Sequence, residues 1–223
     1  METESLWVEE RLRMVKEQIE QRGIRDQRVL QAMREVPRHL FVPEEEQPYA
    51  YEDCPLPIGF GQTISQPYMV AIMTALLELK GDEKVLEVGT GSGYQAAILS
   101  RIVREVHTIE RHPVLAQRAE ERLRTLGYSN VKVYTGDGSL GLPDKAPFQG
   151  IVVTAAAPKV PAPLLQQLAL NAYLVIPVGG PAGQELMRLQ KTSQGVEQEE
   201  LFPVAFVPLR GKEGWKDSQW FPR

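Results

Sequence analysis

The most informative segment of the chain reads Lys84-Val-Leu-Glu-Val-Gly-Thr-Gly-Ser-Gly-Tyr-Gln95. Its first five residues form an apolar run that is typical of a short strand. Gly89, Gly91 and Gly93 follow, and a helical pattern begins at Gln95. Glycines in such a turn let the backbone approach a ligand closely, and the N–H groups that start a helix have no partner inside it. The segment therefore predicts a strand, a ligand-binding loop and a helix.

Short strands and helices alternate along the chain from this segment onward. Strands are predicted at 84–88, 105–109, 131–134, 148–154 and 173–178, and helices at 95–102, 114–126 and 163–170. Two more strands, at 185–191 and 201–208, are predicted to complete one sheet edge as a hairpin. This alternation indicates βαβ units. The predicted fold class is α/β, with a doubly wound, mostly parallel, Rossmann-like sheet and helices on both faces.

The N-terminal part of the chain has a different character. Apolar residues recur at helical spacing over 5–22, which predicts an amphipathic helix with Leu6, Leu12, Val15 and Ile19 on its apolar face. An N-cap at Asp26 predicts a second helix. Residues 37–67 are rich in proline and glycine, so they predict a long surface segment of a kind that is often functional.

Length and composition limit the classes of protein that the chain can be. The 223 residues fit one large domain with a terminal extension, and 43% hydrophobic with 24% charged residues is typical of a globular protein. We expect one compact unit with three parts. These are an N-terminal helical and covering part at 1–79, an α/β domain at 80–210 and a C-terminal tail at 211–223.

Charge and cysteine content exclude further classes. The net charge of −4 argues against a broad electrostatic surface for nucleic acid or an anionic membrane. Cys54 is the only cysteine, so neither an internal disulfide nor a cysteine-type zinc site can form. The N-terminus lacks the apolar core of a signal peptide, and no apolar run is long enough to span a bilayer. We expect a cytoplasmic monomer without a metal ion.

Two acidic residues follow the next two predicted strands. Glu110 comes about 20 residues after the loop, where a carboxylate can accept both hydroxyl protons of a ribose. Asp137 lies between two glycines after the third strand and can accept from the amino group of an adenine. Each acid alone also fits a simple turn residue. Together with the loop, they predict a nucleoside site at the carboxyl ends of successive strands.

Two common nucleotide-binding loops do not fit the pattern. The loop contains no lysine, which argues against a Walker-type phosphate loop. The dinucleotide fingerprint has glycine at its sixth position, where this chain has Tyr94. Glu87 followed by Gly-x-Gly-x-Gly instead resembles motif I of the class I methyltransferases, which use S-adenosylmethionine (AdoMet).

Other segments resemble one family within that class, the protein-L-isoaspartate O-methyltransferases. The resemblance runs from about Met14 to Arg210 and is most specific in Gly61-Gln-Thr-Ile-Ser-Gln-Pro67 and Val153-Thr-Ala-Ala-Ala-Pro158. It implies methyl transfer from AdoMet to the free α-carboxyl of L-isoaspartyl residues in damaged proteins and peptides, which initiates their repair. S-adenosylhomocysteine is the implied product.

The same resemblance implies the site residues. Ser65 lies beside the methyl donor and acceptor in that family and is the implied catalytic residue. The implied cofactor contacts are Gln62, Thr63, Ile64, Ser65, Glu87, Gly89, Gly91, Ser92, Gly93, Glu110, Arg111, Asp137 and Gly138. The implied substrate contacts are Ser65, Ala155, Ala156, Val207, Leu209 and Arg210, with the peptide extended along 207–210.

The implied chemistry needs no general base, because a carboxyl acceptor is already ionised at neutral pH. A neutral hydroxyl such as that of Ser65 can orient the carboxylate without weakening it as a nucleophile. Without the resemblance, Ser65 also fits a turn residue before Pro67. Small residues at 155–157 are expected to leave room for the isoaspartyl linkage. Ala156→Phe is therefore expected to lower turnover and spare AdoMet binding.

Three alternatives stay open. The chain can be another class I methyltransferase that acts on a small molecule or on RNA, although its acidity argues against RNA. It can be an AdoMet-binding module without catalytic activity. It can also be a nicotinamide-dependent oxidoreductase, which the loop spacing disfavours.

Overall fold

The computed structural model describes residues 2–216 and 220. Within them the α-helices are α1 (Glu2–Met14), α2 (Gln27–Glu35), α3 (Pro67–Ala75), α4 (Tyr94–Ser100), α5 (Pro113–Thr125) and α6 (Ala162–Gln167). The strands are β1 (Leu56–Gly59), β2 (Gln62–Ile64), β3 (Lys84–Val88), β4 (Glu105–Glu110), β5 (Val131–Thr135), β6 (Phe148–Val153), β7 (Leu168–Gly180), β8 (Gly183–Thr192) and β9 (Gly195–Pro203). In this part of the chain, no helix is both long and apolar enough to cross a membrane.

Seven strands form one sheet in the order β5-β4-β3-β6-β7-β8-β9. The first five in this order are parallel, and β8 and β9 are antiparallel to their neighbours. The chain runs outward from β3 through β4 to β5 and then returns to the other side of β3 to form β6. The loops after β3 and β6 therefore diverge and open a crevice at the carboxyl ends of these strands. The predicted doubly wound, mostly parallel sheet is confirmed.

The sheet is covered on both faces. Val85 and Leu86 are both fully buried but belong to separate apolar clusters, because successive residues of a strand point to opposite faces. The cluster that contains Val85 includes buried residues of α1 to α5. The cluster that contains Leu86 includes Leu164 of α6. The N-terminal helices thus share a core with the sheet.

The N-terminal helices agree with the prediction in position, and the first of them agrees only in part in burial. α1 continues directly into a π-helical turn at Val15–Glu20. Val15 and Ile19 of the predicted apolar face are fully buried, whereas Leu6 and Leu12 are 52% and 46% exposed. The predicted N-cap at Asp26 is confirmed, because its Oδ1 accepts the N–H of Arg28 at 2.8 Å.

Residues 37–67 hold more regular structure than the predicted surface segment. Two 3-10 turns, Arg38–Phe41 and Glu44–Tyr49, are followed by an antiparallel hairpin of β1 and β2. At its tip Phe60 has a φ of +56°, which is uncommon for a residue with a side chain. Strands of four and three residues are too short to show a period-2 pattern, so the sequence did not reveal them.

The edge of the sheet differs from the prediction. β8 and β9 form the expected hairpin, but β9 covers 195–203 rather than 201–208. Residues 195–200 are all exposed and almost all polar, so they lack the alternation that marks a strand. After β9 the chain leaves the sheet, and Pro208 pairs with Ala156 beyond the end of β6.

Candidate active site

The glycine loop after β3 is held by the residue that follows β6. Gly89 has a φ of +101°, which favours glycine. It approaches Thr154 so closely that a Cβ on Gly89 would lie 2.4 Å from Thr154 Oγ1. The Thr154 hydroxyl donates to the Gly89 carbonyl at 2.7 Å. The loop conformation therefore depends on glycine at position 89 and on the hydroxyl at position 154.

Glu110 ends β4 beside this loop. The side chain is nearly buried, its Oε2 accepts the N–H of Gly91 at 2.9 Å, and its Oε1 accepts the N–H of His112 at 3.0 Å. A carboxylate has about four acceptor positions, so each oxygen keeps one position open. Two acceptors side by side match two adjacent hydroxyl groups, such as those of a ribose.

Glu87 is a fully buried acid on β3, where the sheet register places it beside Thr108 of β4. The Thr108 hydroxyl donates to Glu87 Oε2 at 2.5 Å, whereas Glu87 Oε1 is buried and has no hydrogen-bond partner in the described structure. Burial raises the pKa of Glu87 to about 8, the charge of Glu110 adds to this rise, and the hydrogen bond from Thr108 opposes it. The site thus contains a buried carboxyl group whose ionised form a nearby cation would stabilise.

Glu87 should make the stability of the ligand-free protein depend on pH. Its carboxyl keeps a proton up to a pKa of about 8 in the folded state, whereas the unfolded chain releases it near 4.5. Between these values the folded state binds more protons, so the free energy of unfolding falls as pH rises. We compare the Tm of Glu87→Gln with that of wild type at each pH. We expect this difference to be larger at pH 9 than at pH 5, in favour of the variant, by about 5 °C or more. Thermal unfolding across pH 5–9 tests this, and an equal Tm difference at both ends would contradict it.

Two adjoining cavities lie beside the glycine loop. Thr63, Gly89, Gly91 and Thr154 line both cavities. The predicted site residues that line only the first are Ile64, Ser65, Glu87 and Ser92. Those that line only the second are Gln62, Glu110, Arg111, Gly138, Ala155, Val207, Leu209 and Arg210.

The β1–β2 hairpin brings Ser65 to this site. Ile58 of β1 packs on the loop, since a Cβ on Gly91 would lie 3.2 Å from its Cδ1. The ring of Phe60 lies 5.8 Å from that of His112, so the hairpin tip contacts the turn after β4. Ser65 follows β2 directly and is half-buried, and its hydroxyl makes no hydrogen bond within residues 2–216. This hydroxyl is available to a ligand.

Three predicted site residues do not line either cavity. Gly93 faces α5, where a Cβ would lie 3.2 Å from Leu123 Cδ1. Ala156 is fully buried, and its backbone pairs with 207–209, which leaves its methyl group outside the cavity wall. A phenylalanine at 156 would therefore also disturb packing, and the substrate pocket expected at 155–157 stays a prediction. Asp137 is half-buried, and protein donors engage both of its carboxylate oxygens.

The sequence did not reveal the three threonines that support the site. The Thr154 hydroxyl donates to the Gly89 carbonyl. The Thr90 and Thr108 hydroxyls lie 2.6 Å apart, and the Thr108 hydroxyl donates to Glu87, so these three side chains form a row of hydrogen bonds. A threonine at the end of a strand is common, so residue type alone gives no signal. The register of β3 against β4, which pairs Glu87 with Thr108, is the information that was missing.

Two other features of the described residues carry no candidate site. A larger groove opens near Lys80, Arg104 and Gln149, at the amino ends of the strands. It contains none of the predicted site residues, and ligands of such sheets bind at the carboxyl ends. Residues 2–216 and 220 also contain no group of three or more His, Cys, Asp or Glu side chains placed to hold a metal ion.

The sheet order defines a Rossmann-like fold of the class I methyltransferase type, and the glycine loop after β3 lies between Glu87 on β3 and Glu110 at the end of β4. Comparison with known families identifies the group within that class. A family model described as protein-L-isoaspartate(D-aspartate) O-methyltransferase matches residues 9–214. The chain belongs to this family.

Curated relatives agree with this assignment. A protein-L-isoaspartate O-methyltransferase of Roseiflexus sp. (strain RS-1) is 56% identical over 200 residues, which cover 90% of this chain and 92% of the relative. A protein-L-isoaspartate O-methyltransferase 2 of Nitrosococcus oceani is 58% identical over 188 residues, which cover 84% of this chain and 86% of the relative.

Solved structures share the fold over most of the chain. One protein-L-isoaspartate O-methyltransferase superposes with a TM-score of 0.82 at 27% identity and covers 93% of this chain and 67% of that one. A Plasmodium falciparum protein described as a protein-L-isoaspartate O-methyltransferase gives a TM-score of 0.78 at 26% identity, and the match covers 90% of this chain and 98% of that one. The latter was solved in complex with S-adenosyl-L-homocysteine.

Proposed function

We propose that this chain transfers the methyl group of AdoMet to the free α-carboxyl of L-isoaspartyl residues in damaged proteins and peptides, and so initiates repair. The observation that carries the proposal is the meeting of Ser65, the glycine loop and Glu110 around two adjoining cavities. Family membership supports the substrate class. We also propose that the chain acts as a monomer in the cytoplasm, without nucleic acid or membrane partners, which its acidity and single free cysteine support.

The open acceptors of the site fit AdoMet. AdoMet supplies an electrophilic methyl group on a positively charged sulfonium, and it also carries an ammonium group, a ribose diol and an adenine. The two open positions of Glu110 suit the diol. Glu87 Oε1 is buried without a partner beside the first cavity, where a positive charge would offset the cost of burying a carboxylate.

The transfer requires alignment rather than proton transfer. The α-carboxyl acceptor is ionised at neutral pH, so it is a nucleophile without a base. We assign Ser65 as the catalytic residue: its hydroxyl donates to one carboxylate oxygen and orients the other toward the methyl group. Both reactants are then held in one site, and such positioning can supply about 7–11 kcal/mol of a barrier.

We propose that the substrate peptide lies along 207–210. Val207 O and Leu209 N pair with the backbone of Ala156 at 2.8 Å each, which fixes one side of this segment. Val207, Leu209 and Arg210 line the second cavity together with Ala155. An extended peptide that is read through its backbone suits substrates with varied side chains.

The function is tested with methyl-labelled AdoMet and two peptides that differ only in one isoaspartyl or aspartyl linkage. Carboxyl methyl esters are base-labile, so label released by mild base reports the product. We expect release from the isoaspartyl peptide alone. Equal labelling of both peptides, or of neither while AdoMet still binds, would overturn the proposed substrate.

Ser65→Ala should separate catalysis from cofactor binding. A hydrogen bond to a charged group contributes about 1.5–3 kcal/mol, so we expect kcat to fall by about 10–100-fold. The Kd for AdoMet should stay within about twofold, because the proposed hydrogen bond of Ser65 is to the acceptor carboxylate and the other implied cofactor contacts remain. Ser100→Ala serves as the matched control, since Ser100 bonds a carbonyl at the end of α4. A normal kcat in folded Ser65→Ala would remove this residue from the mechanism.

A further inference from the structure

The C-terminal segment 211–216 contacts Asp137, the acid that is predicted to accept from the amino group of an adenine. The Lys212 N–H donates to Asp137 Oδ2 at 2.7 Å. The N–H and the hydroxyl of Ser139 donate to Asp137 Oδ1 at 3.0 and 2.6 Å. The Glu213 N–H in turn donates to Ser139 Oγ at 3.0 Å. The segment thus forms one network with the turn that follows β5.

The approach of the segment to Asp137 depends on glycine. A Cβ on Gly211 would lie 2.0 Å from Asp137 Oδ1 and 2.6 Å from Ser139 Oγ. No real contact is this short, so any side chain at 211 must displace the carboxylate or the segment. Gly214 repeats the arrangement, because a Cβ there would lie 2.3 Å from Leu209 O.

The far end of the segment is anchored to neighbouring strands. The Trp215 N–H donates to Leu209 O at 2.8 Å, and the Leu209 N–H donates to Ala156 O at 2.8 Å. The Trp215 ring packs on Gly180 at the end of β7, since a Cβ there would lie 3.1 Å from the ring. The segment therefore connects the carboxyl ends of β5, β6 and β7, and this fixes the position of its Lys212 N–H.

The donors leave one acceptor position on Asp137 open. A carboxylate has about four such positions, and three are taken, two on Oδ1 and one on Oδ2. The remaining position is on Oδ2, in a half-buried side chain whose neighbour Gly138 lines the second cavity. An acceptor that is held in one orientation selects a ligand with an N–H donor over one with a carbonyl.

We propose that segment 211–216 is a positioning element that sets base selectivity: it orients Asp137 so that the site takes a purine with an exocyclic amino group and rejects one with a 6-oxo group. This inference rests on the proposed function, because it assumes a nucleoside cofactor. The segment acts by fixing the Asp137 carboxylate.

The test compares the binding of S-adenosylhomocysteine with that of its deaminated analogue, in which hypoxanthine replaces adenine. We expect wild type to prefer the adenine form by about 10-fold or more. Gly211→Ala and Lys212→Pro should each reduce this preference to within about threefold by weakening the adenine form alone. Lys212→Ala keeps the backbone N–H, so the difference between the two variants at 212 reports that donor. Gly183→Ala is the matched glycine control, since a Cβ there meets no atom within 4 Å.

Several outcomes would overturn the proposal. An unchanged preference in both folded variants would show that the segment does not position Asp137. An equal loss of affinity for both ligands would show a purely structural role, and a gain in affinity would show that the segment competes with the base. Thermal unfolding establishes that each variant is folded. The preference for the adenine ligand is measured by binding alone, without a methyl acceptor. The proposal on segment 211–216 and the proposed methyl transfer can therefore fail separately.

Discussion

Glu110→Gln is expected to weaken AdoMet binding by about 100-fold or more. The substitution removes an open acceptor for one ribose hydroxyl and turns an NH₂ group toward the N–H of Gly91 or His112, which now donate to the carboxylate. Hydrogen bonds to a charged group contribute about 1.5–3 kcal/mol each, and about 1.4 kcal/mol is a factor of ten. Titration calorimetry with AdoMet and with S-adenosylhomocysteine measures the loss.

The same substitution at the other end of β4 provides the control. Glu105 pairs with Lys132 and is remote from the glycine loop, so Glu105→Gln should bind AdoMet as wild type does. If Glu110→Gln kept its affinity, the ribose would not be bound at the end of β4. The cofactor would then have to lie elsewhere in the crevice.

Gly89→Ala is expected to lower methyl transfer by more than about 100-fold. The added Cβ would lie 2.4 Å from Thr154 Oγ1, so the loop or Thr154 must move. Either movement changes the wall that both cavities share, and a displacement of about 1 Å in a reacting group can cost about 100-fold in rate. Initial rates with the isoaspartyl peptide at saturating AdoMet, together with AdoMet affinity, measure the effect.

A second glycine separates this steric effect from backbone strain. Gly127 has a φ of +79°, but a Cβ there meets no atom within 4 Å. Gly127→Ala should therefore cost about 1 kcal/mol of stability, or about 2–4 °C in Tm, and leave methyl transfer unchanged. Similar activity in the two variants would mean that the contact with Thr154 does not shape the site.

The parts of the fold that sequence predicts well depend on local signals. The N-cap at Asp26 is such a signal, because the side chain bonds N–H groups two and three residues later. The glycine loop is another, since a strand, closely spaced glycines and a helix occupy one continuous segment. The family resemblance rested on similarly continuous motifs, and the match to residues 9–214 confirms it.

The parts that sequence missed depend on pairings between distant residues. Glu87 and Thr108 are 21 positions apart and meet only through the register of β3 against β4. Asp137 and Lys212 are 75 positions apart, and nothing in either segment indicates the other. The polar residues 195–200 form a strand only because β8 supplies its hydrogen-bond partners. In each case the information lies in the tertiary fold.

The polar character of β9 also affects which chains can pair with this edge of the sheet. An edge strand exposes unpaired N–H and C=O groups that can accept a further strand from another chain. In β9 the exposed side chains include Glu197, Glu199 and Glu200, and no basic residue lies in the strand. A second copy that paired edge to edge would place these carboxylates against one another. The charges therefore discourage growth of the sheet from this side.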